Sequence, residues 1–158
     1  ERMGLAKVRK IAPQIKLGAV KPVADDKTLD VIIANRYEVM ATFARSLRRA
    51  SHAEMHRLKS DGSTARELAD MRIARRWLHR DDDKIPNNVR AQIAGALASS
   101  PYLAKLVAMR EELRMLWTRT DVTAEQLVAD LQAWLVKAEQ SGIGALQQFG
   151  LRLRAVQV

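Results

Sequence analysis

The sequence predicts an all-α fold, a bundle of five or six helices built on one long helix near the N-terminus. Apolar residues recur at steps of three, four or seven through most of the chain, which is the spacing of one helix face. No stretch shows the alternation of a half-buried strand. Glycine, proline and capping residues divide the chain into helix-length segments joined by short loops, which favour antiparallel neighbours.

Composition narrows the class of protein. The 158 residues suit one domain, and because 47% are hydrophobic but only 4% aromatic, aliphatic side chains must supply most of the core. The absence of cysteine excludes disulfides, thiolate zinc sites and cysteine nucleophiles. The sequence contains no run of about 18 apolar residues, so it predicts no membrane span. Because residue 1 is Glu rather than Met, we expect a segment of a longer protein.

The net charge of +9 is distributed unevenly. Residues 1–23 carry six basic side chains against one acidic side chain, and glycine and proline interrupt any helical period there. We therefore predict a basic linker at residues 1–24 and a helical domain at residues 25–158. A basic leader can bind nucleic acid or an anionic membrane surface, or it can be only a solvated linker.

The long helix is predicted over residues 28–59. Its apolar face carries Leu29, Ile32, Ile33, Met40, Phe43, Leu47 and Leu58. The opposite face carries a basic stripe, which makes its members candidates for partner docking: Arg45, Arg49, His52, His56 and Lys59. Arg36 and Glu54 fall on or near the apolar face, where we expect them at its margin or paired with charges on neighbouring helices.

Shorter helices are predicted to follow. They run from Thr64 to Arg80, from Asn87 to Ser99, from Pro101 to Arg119, from Thr123 to Ala138 and from Ile143 to Leu153. The first of them opens with a capping box, Thr64-x-x-Glu67. Ser100-Pro101 strongly predicts a helix start, because Ser is a good cap and Pro is tolerated at the first helical position. Ile73 and Trp77 point away from the main apolar stripe, so that helix is either sandwiched between two others or presents an exposed docking patch.

No chemical motif in the sequence identifies a catalytic, cofactor-binding or metal-binding residue. His52 and His56 lie one turn apart, but a metal site needs further ligands and the neighbouring basic side chains repel a cation. Asp81, Asp82 and Asp83 lack the alternating acids of a calcium loop, and we interpret them as the end of a basic helix. Nucleophile, phosphate-loop and dinucleotide motifs are absent.

Nucleic acid is a further candidate partner. The basic stripe, extended by Arg48, could follow a line of phosphates. The chain after residue 23 has a net charge of only +4, however, and its acids are scattered. We therefore rank nucleic acid below the other candidate partners.

Several segments resemble one family, the bacterial membrane fatty-acid desaturases. Gly4 to Pro13 resembles the segment after the last membrane-embedded part, and Val31 to Met40 resembles the opening helix of the C-terminal region in proteobacterial members. Residues 74–78, 109–113 and 138–147 continue the likeness. These segments are not catalytic motifs, so the resemblance depends on their number and order.

The resemblance implies a parent oxidoreductase of lipid metabolism, which inserts a double bond into an acyl chain with O2, electrons and a di-iron centre. The histidine boxes that hold the irons would lie upstream, so this segment would contain no cofactor and would not be catalytic alone. It would be a placement, docking or dimerisation module at the cytoplasmic face of the bacterial inner membrane.

The same resemblance implies the partners. Lys7, Arg9 and Lys10 would contact anionic lipid headgroups beside the membrane part of the polypeptide. An electron-donor protein or a second copy of the chain would bind the docking residues, namely Arg45, Arg49, His52, His56, Lys59, Ile73 and Trp77.

An alternative resemblance covers about the last third of the chain. From Leu113 onward, the pattern Leu-Trp, Leu-x-x-Trp, Ser-Gly-Ile and Leu-x-x-Phe is similar to the helical tail of some insertion-sequence transposases of the DDE class. In those proteins the catalytic acids lie on a mixed sheet, which this chain lacks. This alternative predicts a helical, DNA-binding C-terminal region.

Overall fold

The structure is a computed structural model, and it describes residues 24–155. This range contains seven α-helices and no strand, which confirms the predicted all-α class. The helices are α1 Asp26–Ala34, α2 Arg36–Ser60, α3 Ala65–Trp77, α4 Arg90–Ser99, α5 Pro101–Thr118, α6 Ala124–Glu139 and α7 Gly144–Arg154, with short 3-10 turns at Asp82–Lys84 and Asn87–Val89. Lys7, Arg9 and Lys10 of the predicted leader lie outside the described residues.

The predicted long helix is divided in two at Asn35. The backbone of this residue leaves the helical region, with φ −107° and ψ 26°. Its side-chain amide donates a hydrogen bond to the carbonyl of Val31 at 2.8 Å, and such local bonds compete with the helical ladder. The break lets α1 pack against α6 while α2 packs against α3, α5 and α7. Residues 28–59 contain no glycine or proline, so the apolar period alone did not reveal the break.

Three helices begin at the predicted capping residues. Thr64 and Glu67 form the complete capping box of α3. The Ser100 hydroxyl accepts a hydrogen bond from the backbone N–H of Leu103 and caps α5, with Pro101 at the first helical position. Thr123 caps α6 in the same way. Each cap satisfies a backbone donor that the helix itself leaves unpaired.

The core lies on the inner face of α2. Phe43 of α2 contacts Phe149 of α7 edge to face, with ring centroids 4.8 Å apart, and Trp134 of α6 lies 6.2 Å from Phe43. The Trp134 indole also donates a hydrogen bond to the carbonyl of Met109 in α5, at 2.9 Å. Three aromatic rings thereby join four helices, although aromatic residues are rare in this chain.

One carboxylate is buried within this core. Glu54, on the inner side of α2, is only 6% exposed. It accepts two hydrogen bonds from Arg57 of the same helix, at 2.8 and 3.0 Å, and one from the hydroxyl of Ser100. The hydrogen bonds from Arg57 lower the pKa of Glu54. Burial raises this pKa, but the hydrogen bond from Ser100 lowers it further, and the net shift is downward. Because Ser100 also caps α5, Glu54 fixes the start of α5 against α2.

We predict that Glu54→Ala lowers the free energy of unfolding by about 2–3 kcal/mol, because it leaves the buried Ser100 hydroxyl without its acceptor and removes the partner of Arg57. Urea denaturation at neutral pH measures the change. Glu38→Ala is the matched control, since Glu38 forms an exposed ion pair with Arg45 on the same helix. That variant should cost less than about 1 kcal/mol. Equal losses in the two variants would contradict the structural role of Glu54.

Candidate nucleic-acid interface

The basic stripe predicted on the long helix lies along the outer face of α2. Arg45, Arg49, His52, His56 and Lys59 are all exposed, and steps of three and four keep them on one line. The stripe lies opposite the face that carries Phe43 and Leu47 into the core. Because α2 packs against the core along its inner face, the backbone that carries the stripe is held in place.

Helix α3 adds a second row of basic side chains beside the stripe. Arg75 donates a hydrogen bond to Nδ1 of His52 at 3.1 Å, and the rings of His52 and His56 lie 4.9 Å apart. Arg72 and Arg76 flank Arg75 and are exposed. We call the combined feature the α2–α3 basic surface; it consists of Arg45, Arg48, Arg49, His52, His56, Lys59, Arg72, Arg75 and Arg76.

The contribution of α3 was missed from the sequence. The sequence predicts only that this helix is basic where it ends at Asp81, and no docking role is assigned to its arginines. The spacing of Arg72, Arg75, Arg76 and His79 is itself a helical stripe, and that signal could have identified the second row. Only the packing of α3 against α2 shows that the two rows adjoin.

Few acids neutralise the α2–α3 basic surface. Glu38 pairs with Arg45 at 3.2 Å, and both side chains are mostly exposed. Arg49 donates a hydrogen bond to the hydroxyl of Ser46, which carries no charge. Within residues 24–155, no ion pair links Arg48, Arg72 or Arg76 to a carboxylate. The surface therefore keeps most of its positive charge for an external anion.

The other predicted docking residues, Ile73 and Trp77, lie on a different side of α3. Both are half-buried and pack against the core, because α3 lies between α2 and α4. The guanidinium of Arg80 lies over the Trp77 ring, 5.3 Å from its centroid. The structure thus favours the sandwiched arrangement, and a docking role for this pair stays a prediction.

The structure brings neither histidines nor acids into a metal-binding group. Across residues 24–155, no cluster of three or more histidine, aspartate or glutamate side chains has a geometry that could hold a metal ion. His52 instead accepts its hydrogen bond from an arginine, and Asp81 and Asp82 pair with Arg110 and Arg90.

An open cleft of about 980 Å³ lies at one end of the α2–α3 basic surface. Its walls are the first turns of α2 at residues 36–44, the connection at residues 79–84 and the last turns of α5 at residues 110–118. We call it the His79 cleft. Burial lowers the pKa of His79, and the nearby charges of Arg48, Arg80 and Arg110 lower it further, so the imidazole is held neutral.

A family model described as a transposase, the ISL3 family of DDE transposases, matches residues 22–157, which is most of the chain. No curated protein matches the chain. No solved structure matches it either.

This match overturns the resemblance to fatty-acid desaturases, together with the inferred lipid metabolism, oxidoreductase chemistry and membrane partner. The resembling segments were only five or ten residues long. Short amphipathic pieces share residue types across unrelated helical proteins, because the helix period itself selects them. Within residues 24–155, no helix is long and apolar enough to cross a membrane.

The same match supports the transposase alternative, which rested on the residues after Leu113. It extends that likeness to the start of the helical domain. It also favours nucleic acid as a partner, so the prediction that ranked nucleic acid below lipid headgroups and an electron donor is wrong.

We predict that Arg48→Ala raises the pKa of His79, because Arg48 is the first of three cations that disfavour the imidazolium. Titration of the ring resonances by NMR measures the shift. Arg45→Ala is the control, since Arg45 lies one turn away on the same helix and does not contribute to the pKa of His79. An unchanged pKa in Arg48→Ala would contradict the described junction between the surface and the cleft.

The direction of the stability change follows from the same pKa. As the pH falls, His79 takes up a proton near its usual pKa of 6.5 in the unfolded chain, but only at a lower pH in the folded chain. The contribution of neutral His79 to stability is therefore present above pH 6.5 and is lost as the pH falls towards the folded pKa.

Proposed function

This chain belongs to the ISL3 family of DDE transposases, and we propose that its helical domain binds the DNA on which the transposase acts. The observation that carries the proposal is the α2–α3 basic surface, in which two adjoining helices present nine basic or imidazole side chains. Such a surface has the charge and shape to follow the phosphates of a duplex.

The length of the surface suits a line of phosphates. Arg45 and Lys59 are 14 residues apart, which is about 21 Å along a helix at a rise of 1.5 Å per residue. A DNA strand presents one phosphate about every 3.4 Å of helix axis, so the stripe can face several of them. Arg72, Arg75 and Arg76 widen the surface to a second row.

The hydrogen bond between Arg75 of α3 and His52 of α2 determines which nitrogen of the His52 ring can donate to a ligand. Arg75 can only donate, so Nδ1 of His52 must accept, and the proton of the neutral ring then lies on Nε2. This orientation leaves an N–H group available to a phosphate oxygen. The arginines provide planar, permanently charged donors, which bind phosphate oxygens in pairs.

The described contacts support positioning rather than sequence readout. Arginine, lysine and imidazole groups on a rigid face fix the register of a protein on DNA through phosphates, without reading the bases. We therefore assign the domain a role in holding DNA, and we expect its affinity to depend on salt more than on sequence.

We predict that the 158-residue chain binds duplex DNA with a steep salt dependence. Replacing Arg49 and Lys59 together by Ala should reduce the slope of log affinity against log salt by about 2, because each lost phosphate contact contributes about 1. Fluorescence anisotropy with a labelled duplex, repeated at several salt concentrations, measures both affinity and slope.

The charge-matched control replaces Arg152 of α7 and Lys137 of α6, which are exposed outside the α2–α3 basic surface. This double variant should keep the slope of the unaltered chain. An equal decrease in both double variants would show a diffuse charge effect and reject the assigned surface. Absence of duplex binding even at low salt would reject the proposed function.

A further inference from the structure

We propose that the His79 cleft binds a single unpaired nucleotide at the end of a DNA strand. The inference rests on the proposed function, because the strand would reach the cleft from the α2–α3 basic surface. Its evidence is separate, and it comes from the polar groups, the aromatic rings and the size of the cleft.

Three buried nitrogen atoms in the lining have no hydrogen-bond partner among the described residues. They are Nδ1 of His79, Nε of Arg110 and Nε1 of Trp117. The arginine and tryptophan nitrogens can only donate, and a buried donor without an acceptor is costly. All three belong to residues that line the same cleft, so a ligand rich in acceptors, as phosphates and base edges are, would satisfy these nitrogens once their side chains turn towards it.

Charge in the cleft favours an anion despite the nearby acids. Five basic side chains line it against three acidic ones. Asp81 is already paired with Arg110, and Asp82 with Arg90. The Arg110 side chain is only 13% exposed and also donates a hydrogen bond to the carbonyl of Arg80, so its guanidinium is held in place. A phosphate bound there would share this fixed guanidinium with Asp81, and the nearby charges of Arg80 and Lys84 would add to the attraction.

The two ends of the cleft differ in chemistry. Helices α2 and α5 run antiparallel, because Glu54 near the end of α2 contacts Ser100 at the start of α5. The first turn of α2 therefore lies beside the last turns of α5, where Trp117 is. Arg110 lies two turns earlier, about 10 Å away at the rise of a helix. One end thus carries the charges of Arg110 and Arg80, and the other end is aromatic.

Tyr37 marks the aromatic end of the cleft. Its side chain is 80% exposed, which is unusual for so large a ring. The guanidinium of Arg36 lies over one face of the ring, 5.0 Å from the centroid, and the other face is free to take a base. Stacking of a base on an exposed aromatic ring does not depend on which base it is. A nucleotide with its base at Tyr37 and its phosphate at Arg110 matches both ends.

The cleft also has the size and the approach that a nucleotide needs. Its volume of about 980 Å³ lies in the range of small-molecule binding sites. Arg48 belongs to the α2–α3 basic surface and acts electrostatically on His79, which lines the cleft. Positive charge therefore continues from the duplex-binding surface into the cleft, and a strand end can pass from one to the other.

The test compares a blunt duplex with the same duplex extended by one unpaired nucleotide at the 5′ or the 3′ end. The unaltered chain should bind one extended duplex about tenfold more tightly, as expected for one stacked base. Tyr37→Ala should abolish this preference without changing the affinity for the blunt duplex. Tyr37→Phe keeps the ring and should restore the preference, and both substitutions are exposed enough to leave the fold intact.

The control variants separate this inference from the proposed function. The Arg49 and Lys59 double variant should weaken blunt and extended duplexes equally and leave their ratio unchanged. Equal affinities of the unaltered chain for blunt and extended duplexes would overturn the nucleotide site while leaving duplex binding intact. A preference that survives Tyr37→Ala would overturn it as well.

A second measurement needs no duplex. Deoxyadenosine monophosphate should shift the Trp117 indole resonance in NMR more than inorganic phosphate or deoxyadenosine does, and the Trp134 indole is the internal control. An equal shift with inorganic phosphate alone would show that the cleft binds only an anion, and it would overturn the proposed nucleotide site. If the mononucleotide shifts Trp117 but the chain does not bind duplex DNA, the proposed function fails and the cleft assignment stands.

Discussion

The burial of the inner face of α2 is the constraint on which the rest of the structure depends. Helices α3, α5 and α7 pack against α2, and the aromatic contacts of Phe43 extend the same core to α6. Glu54 is the polar exception on that face. Its bonds to Arg57 and Ser100 join α2 to the start of α5, so the antiparallel arrangement of these helices rests on both apolar packing and a buried carboxylate.

The same burial decides where charge is exposed. A helix that is covered along one face must place its polar residues on the other, and in α2 those residues are mostly basic. The packing of α3 then sets Arg75 against His52 and doubles the width of the positive surface. The antiparallel course of α5 brings Trp117 beside the first turn of α2 and Arg110 beside the turns that follow, and these residues form part of the walls of the His79 cleft.

Membership of a transposase family suggests nucleic acid as the partner of this domain without identifying the residues that would bind it. The family points to DNA, and the structure offers the α2–α3 basic surface with a cleft at its end. The desaturase resemblance failed because its segments were only five or ten residues long, and such short pieces carry little information about ancestry.

The sequence by itself determined the all-α class, the capping residues of α3, α5 and α6 and the basic stripe of α2, because these depend on the helix period and on contacts within one turn. It did not reveal the break at Asn35, where a side-chain hydrogen bond and the packing of α1 on α6 outweigh the period. Only the tertiary structure decided that Arg75 meets His52 and that Glu54 meets Ser100. These partners are 23 and 46 residues apart, and such contacts depend on how whole helices pack rather than on local spacing.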